Sequence, residues 1–251
     1  MPLEFLHQGG DSRGTILFFQ FNQTKTNLFE IKKGFARGGH YHNYDIIHTL
    51  IAGKIEHRTK HLHSDKEEIE IICAPAIMKI PANTANLIIA LDDSLFSEIF
   101  NSEYKSTTFK EYRDIVLQKM KDSVLEKNTF TITNQLEDAR GKIFFFEFNK
   151  KNINLIEIKK GFARGGHYHN FDSEHIGLSG KIRYLEKNLA TNIENEKIIV
   201  CPEIVFTSSQ IAHMFIGLDD SIFVESFSDE YEATYYPSYR NFIDEKIKSN
   251  T

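Results

Sequence analysis

The sequence predicts an all-β chain of two tandem antiparallel β-barrels, each followed by a short C-terminal helix, and three observations predict it. The first is a duplication. The segment GFARGGHYHN occurs at 34–43 and again at 161–170, inside fourteen identical residues, Glu30–Asn43 and Glu157–Asn170. The 127-residue offset, Gly34 to Gly161, continues without a gap. Asp11-Ser-Arg-Gly14 aligns with Asp138-Ala-Arg-Gly141, Gly53 with Gly180, Leu91–Ser94 with Leu218–Ser221 and Tyr104 with Tyr231. A period this long marks duplicated domains, placed at 1–126 and 127–251, and not a solenoid of short units. The second observation is that the apolar runs have strand length. The third is that Gly, Asn and Asp separate them, as in an antiparallel barrel or sandwich.

Taken in order, TILFFQF and KIFFFEF open the copies as aromatic-rich strands, and NLFEIKKG and NLIEIKKG follow with alternating patterns. The histidine-bearing segment comes next. HTLIAGKIEH and HIGLSGKIRYL each place a glycine at a turn between strands, followed by EIEIICAPAIMKI and KIIVCPEIVFT. NLIIALDDSLFSEIF and HMFIGLDDSIFVESF close the barrels. In TFKEYRDIVLQKMKDSVLEK, Ile115, Val116, Met120 and Val124 recur at helical spacing, and SYRNFIDEKIKS is its shorter counterpart. The first helix, with NTFTITNQLE, is expected to bridge the domains.

Composition narrows the function classes. The 251 residues are 41% hydrophobic and 26% charged, with a formal charge of −5 and acids and bases interspersed. That balance predicts neither nucleic-acid nor anionic-membrane binding, and the apolar runs are too short to span a bilayer. The opening residues lack a basic region followed by an apolar one, so a cytoplasmic location is expected. Cys73 and Cys201 are too far apart for a CxxC site and read as buried free thiols. On a strand, residues i and i+2 share a face, so His40 with His42, and His167 with His169, can each converge on one point while Tyr41 and Tyr168 face away. The preceding Gly38-Gly39 and Gly165-Gly166 permit a tight turn or a close approach. His57, His61 and His63 read as a solvated loop, and His48 and His175 as outward-facing.

The string Gly161-x5-His167-x-His169-x4-Glu174-x5-Gly180, with His213 on a later strand, resembles the metal-binding motifs of the cupin family. The resemblance covers nearly all of both repeats. It implies a bicupin of double-stranded β-helix, or jelly-roll, barrels, with about one divalent metal per chain in the C-terminal barrel. Its ligands would be His167, His169, Glu174 and His213, a set that serves Zn, Ni, Fe, Co or Mn. In the first copy Ile47 and Asn86 stand at the places of Glu174 and His213, so that site is expected to be degenerate.

Two further motifs narrow the resemblance. Each copy opens with D-x-R-G and carries Arg directly before Gly-Gly-His, at Arg37 and Arg164. This is similar to sugar-nucleotide cupins: the dTDP-sugar 3,5-epimerases, the 3,4-ketoisomerases and the cupin half of capsular-polysaccharide reductase–epimerases. It implies an epimerase or ketoisomerase acting on a nucleotide-linked 4-keto-6-deoxy sugar for surface glycans. His40, His42, His167 and His169 would be catalytic, with a histidine tuned near neutrality as base. Arg13, Arg37, Arg140 and Arg164 would contact the anionic substrate, unless Arg37 and Arg164 are committed to Asp11 and Asp138. An Fe-dependent oxygenase and a non-catalytic sugar-binding module are the rival expectations. The chain is expected to be a monomeric bicupin or a homodimer.

Overall fold

The computed structural model describes residues 2–64, 66–100, 105–122, 130–228 and 230–250. Its contacts divide it into two units, Leu3–Thr131 and Ile132–Thr251. The expected boundary at 126/127, the end of the first expected helix and Tyr104 lie outside the described residues.

The first unit runs β1 (Glu4–Asp11), β2 (Gly14–Phe21), β3 (Thr24–Ile31), β4 (Ala36–Tyr41), β5 (Ile46–Ala52), β6 (Lys54–His61), β7 (Glu67–Cys73), β8 (Ala76–Ile80), β9 (Thr84–Ala90), β10 (Ser94–Phe100), β11 (Thr107–Thr108) and α1 (Lys110–Asp122). The second repeats the order as β12 (Ile132–Asp138), β13 (Gly141–Phe148), β14 (Lys151–Ile158), β15 (Ala163–Tyr168), β16 (Ser173–Ser179), β17 (Lys181–Asn188), β18 (Glu194–Val200), β19 (Glu203–Thr207), β20 (Ile211–Gly217), β21 (Ser221–Phe227), β22 (Thr234–Tyr235) and α2 (Pro237–Asn250).

Each unit is a barrel of two antiparallel sheets, as the repeat and the strand pattern predict. Six strands in the order β1-β2-β3-β10-β5-β8 face five in the order β11-β4-β9-β6-β7, and the second unit has the same arrangement. The alternating apolar residues of both sheets meet inside. Phe29, Ile31, Leu50, Ile55, Ile88 and Phe96 form the first core, and Ile156, Ile158, Ile182, Tyr184, Phe215 and Phe223 the second.

Each helix covers the outer side of its five-stranded sheet. Tyr112 and Val116 of α1 pack on Ala36, Ala85, Leu87 and Ile89, while Tyr239 and Ile243 of α2 pack on Ala163, Ala212, Met214 and Ile216. The glycine pair makes this approach possible. A Cβ on Gly38 would lie 2.5 Å from Asn86 O, and one on Gly39 2.9 Å from the Arg113 backbone; φ is +97° and +78° at the two residues. The first glycine thus admits the neighbouring strand and the second admits the helix.

Three expectations are corrected. The segment Ile132–Asp138 is not linker but β12, which pairs with β13 as β1 pairs with β2. These outer strands carry mostly exposed residues, so they lack the burial pattern that marks the others. EIEIICAPAIMKI splits into β7 and β8 around Ala74-Pro75, since proline cannot donate to a ladder. Both cysteines are free, but Cys73 is exposed on its strand and only Cys201 is partly buried.

Candidate metal centre

His167 lies on β15 and His169 directly follows its last residue, Tyr168, which packs toward α2. A break in register between Gly165 and His167 sets His167 directly across from His213 on β20. Such a bulge re-aims a side chain without ending the strand. The three imidazoles converge, with potential ligand atoms all within 4.8 Å of one another.

Hydrogen bonding fixes which nitrogens face inward. His169 Nδ1 is 2.7 Å from Glu232 O and His213 Nδ1 is 3.3 Å from Ile211 O. A carbonyl only accepts, so in the neutral ring Nδ1 carries the proton and Nε2 presents its lone pair. The buried Nε2 atoms of His167 and His169 have no hydrogen-bond partner among the described residues. Buried polar atoms left this way point to a missing ligand. Burial, reinforced by His169, lowers the His167 pKa to about 4. Burial also lowers that of His213, with His175 and His167 adding to it. Neutral imidazoles at pH 7 are the form that binds a metal, so the donor set fits a divalent ion.

The carboxylate does not come from the expected place. Glu174 points away from the cluster: its Oε2 accepts from Ser226 Oγ at 2.7 Å and from Lys151 Nζ at 3.1 Å. Strand β16 begins at Ser173, and its alternation sends His175 inward instead. His175, expected to face outward, joins His213 and Glu225 of β21 in a second group of potential ligands. Its Nε2 stands 3.3 Å from Glu225 Oε1, and Asn154 Nδ2 donates to Glu225 Oε2 at 3.0 Å. Burial alone would raise the Glu225 pKa. The neighbouring His175 and the Asn154 amide outweigh it and hold the carboxylate ionised.

Behind His175 a chain of polar groups crosses the barrel. His175 Nδ1 is 3.3 Å from Thr207 Oγ1, which is 2.9 Å from Tyr184 Oη. Tyr184 Oη in turn donates to Glu186 Oε2 at 3.2 Å. These groups lock the ring orientation of His175 from behind, as outer hydrogen bonds do at metal sites.

The first barrel keeps more of this arrangement than the sequence suggested. His40 and His42 have ring centroids 5.0 Å apart, and His42 Nδ1 is 2.8 Å from Lys105 O. His48, also expected to face outward, turns in and bonds Glu98 Oε1 at 2.8 Å. Because Glu174 is not part of the second cluster, Ile47 is no loss to the first. The difference is Asn86 in place of His213. Burial lowers the His40 pKa to about 4, so neither His40 nor His167 is tuned near neutrality as expected. Repetition of Glu98 and Glu225 at the 127-residue offset was the available signal for the inner carboxylate.

The four arginines form clamps. Arg164 Nε donates to Glu157 O at 2.8 Å and Nη2 to Gly141 O at 2.7 Å, with Asp138 Oδ1 at 3.4 Å. Arg140 grips Asp138 through Nε and Nη2, and Lys142 N donates to the buried Glu157 Oε2 at 2.9 Å. The first copy repeats this with Arg37 on Gly14 O, Arg13 on Asp11, and Thr15 N on Glu30. The D-x-R-G turn and the identical block therefore hold each other. The arginines also line the cavities, about 660 Å³ in the second barrel and 560 Å³ in the first. Both volumes suit a small molecule.

No protein-family model matches the chain, and no curated protein matches it. Among solved structures, a Lactobacillus farciminis oxalate decarboxylase in its formate complex is 15% identical, with a TM-score of 0.42 over 96% of this chain and 90% of that one. A Bacillus subtilis oxalate decarboxylase studied for its Mn(II) centres is 14% identical, with a TM-score of 0.41 over 99% and 84%. Likeness at this level assigns the chain neither a family nor a chemistry. No helix among the described residues is long and apolar enough to cross a membrane.

Proposed function

We propose that the chain is a metal-dependent cupin enzyme whose second barrel holds one divalent ion and acts on a small anionic substrate. The observation that carries this reading is the convergence of His167, His169 and His213, with His167 and His213 lining a cavity and the buried Nε2 atoms of His167 and His169 left unsatisfied. These three would hold the ion, with His175 supplying the side expected of Glu174. A bound divalent ion would polarise a carbonyl oxygen as a Lewis acid.

The reaction we infer is epimerisation or ketoisomerisation of a nucleotide-linked 4-keto-6-deoxy sugar. A ketone acidifies the adjacent C–H, and Glu225 is the buried carboxylate among the three glutamates lining the same cavity, Glu147, Glu225 and Glu230. It would accept that proton, while Asn154 and His175 keep its oxygens in place. Phe145, Phe223 and Phe227 line the same cavity as apolar wall, and Arg240, ion-paired with Asp244, lines it as well. His167 and His169 are given to the ion in this scheme and not to proton transfer.

Incubation with a dTDP-4-keto-6-deoxyhexose in D2O tests the reaction. Deuterium should enter the carbon beside the ketone, and Glu225→Gln should suppress it at least about a hundredfold, the range expected of a general base. No exchange with metal-replete protein contradicts the reading. An Fe-dependent oxygenase is the second reading, since imidazole ligands suit Fe as well as Zn, and His175 and Glu225 stand beside His213. It predicts substrate-dependent O2 consumption instead.

A further inference from the structure

The first barrel has a cavity of its own, about 560 Å³, but Asn86 stands where His213 completes the other cluster. At the positions lining the second cavity, the acids and permanent cations of the two copies are the same except at two. Gln20 replaces Glu147, and Lys25 replaces Asn152. These positions are register partners in both barrels, Gln20 with Lys25 across β2–β3 and Glu147 with Asn152 across β13–β14. Each exchange adds one unit of positive charge to the first barrel. Together they equal the charge of the divalent ion that the second barrel would hold.

Two further observations point to a ligand. Among the described residues, neither Lys25 nor Arg113, both lining the first cavity, has an ion-pair partner. The amide of Asn86 is 1% exposed, lines the same cavity, and leaves Oδ1 without a hydrogen-bond partner. A buried acceptor in that state is costly unless something donates to it.

We propose that the first barrel binds a small, multiply charged anion without any metal, with Lys25 and the arginine-lined wall supplying the charge that an ion supplies in the second. The ligand carries phosphoryl or carboxylate groups, the chemistry that arginine and lysine recognise together, and a hydroxyl or N–H group that can reach Asn86. The charge comparison rests on the second barrel holding a divalent ion; the site itself does not need that ion.

The test uses full-length protein stripped with chelator, titrated calorimetrically with inorganic pyrophosphate and, separately, with malonate. One anion or both should bind at one site per chain, and the one that binds identifies phosphoryl or carboxylate recognition. Lys25→Asn and Gln20→Glu, which install the second copy's own residues, should each weaken binding about fivefold to tenfold at low salt. Asn152→Ala should leave it unchanged. Absence of binding by both anions, or binding indifferent to Lys25→Asn and Gln20→Glu, overturns the proposal. Metal content of the unstripped protein reads the second barrel independently, so failure of one reading is told apart from failure of the other.

Discussion

His213 and Asn86 occupy the same place in the two clusters, and among the described residues only the second cluster brings together a group of potential metal ligands. His40, His48 and Glu98 line the same cavity as Asn86, with His42 beside His40, so Asn86→His should create a second metal site, read as a rise from about one to about two equivalents on loading. The positive charge of Lys25 should make that new site the weaker of the two. Charge burial gives a second prediction at this scale. His57, expected in a solvated loop, is instead buried on β6, and both His40 and His57 have pKa values lowered to about 4, chiefly by burial. The unfolded chain binds their protons between about pH 6.5 and 4 while the folded one does not, so stability falls as pH drops through that window. Each contributes on the order of 1–3 kcal/mol to the fall. Denaturant melts from pH 7 to pH 5 should show it, and His57→Phe should flatten the slope. The converging histidines were legible in the sequence because an i, i+2 pair has one geometric meaning on a strand. The outward turn of Glu174 was not. It depends on where β16 begins, and a one-residue difference in strand phase exchanges Glu174 for His175.

Strands and helices explain why the fourteen-residue block is kept twice. It includes a buried glutamate that receives the D-x-R-G turn, an arginine that grips the turn's carbonyl, and a glycine pair that admits a strand and a helix. Little of it can change without loosening the barrel wall, whether or not the barrel holds a metal. The two copies nevertheless differ in tolerance. A Cβ on Gly39 would meet the Arg113 backbone at 2.9 Å, whereas on Gly166 its nearest neighbour is the Ile243 Cδ1 atom, at 2.8 Å, which can move aside. Gly39→Ala should therefore cost more than Gly166→Ala, about 2–4 kcal/mol against about 1–2 kcal/mol, read by chemical denaturation. The central strands were legible as elements because they alternate or are wholly apolar. Strands β1 and β12 were not, because their residues are mostly exposed and their identity comes from pairing with a neighbour.

Over the whole molecule, one architecture carries two cavities with different charge logic. Each unit has its own core and its own helix, so metal binding should stabilise the unit that contains it. Removal of metal should increase hydrogen exchange in β15, β16, β20 and β21 and leave β4, β5, β9 and β10 unchanged. Uniform loss of protection in both units would contradict a lone site. The duplication was legible at this scale because an ungapped 127-residue offset admits no other reading. The loss of His213 at Asn86 was legible too, but the charge of the first cavity was not, since it rests on which side chains share that cavity.

The most direct measurement is metal content per chain by elemental mass spectrometry, on untagged wild-type protein beside His213→Ala, Glu174→Gln and His40→Ala. The account predicts about one equivalent in wild type, retained in Glu174→Gln and His40→Ala and lost in His213→Ala. Loss of metal from Glu174→Gln, with His213→Ala still loaded, would contradict it.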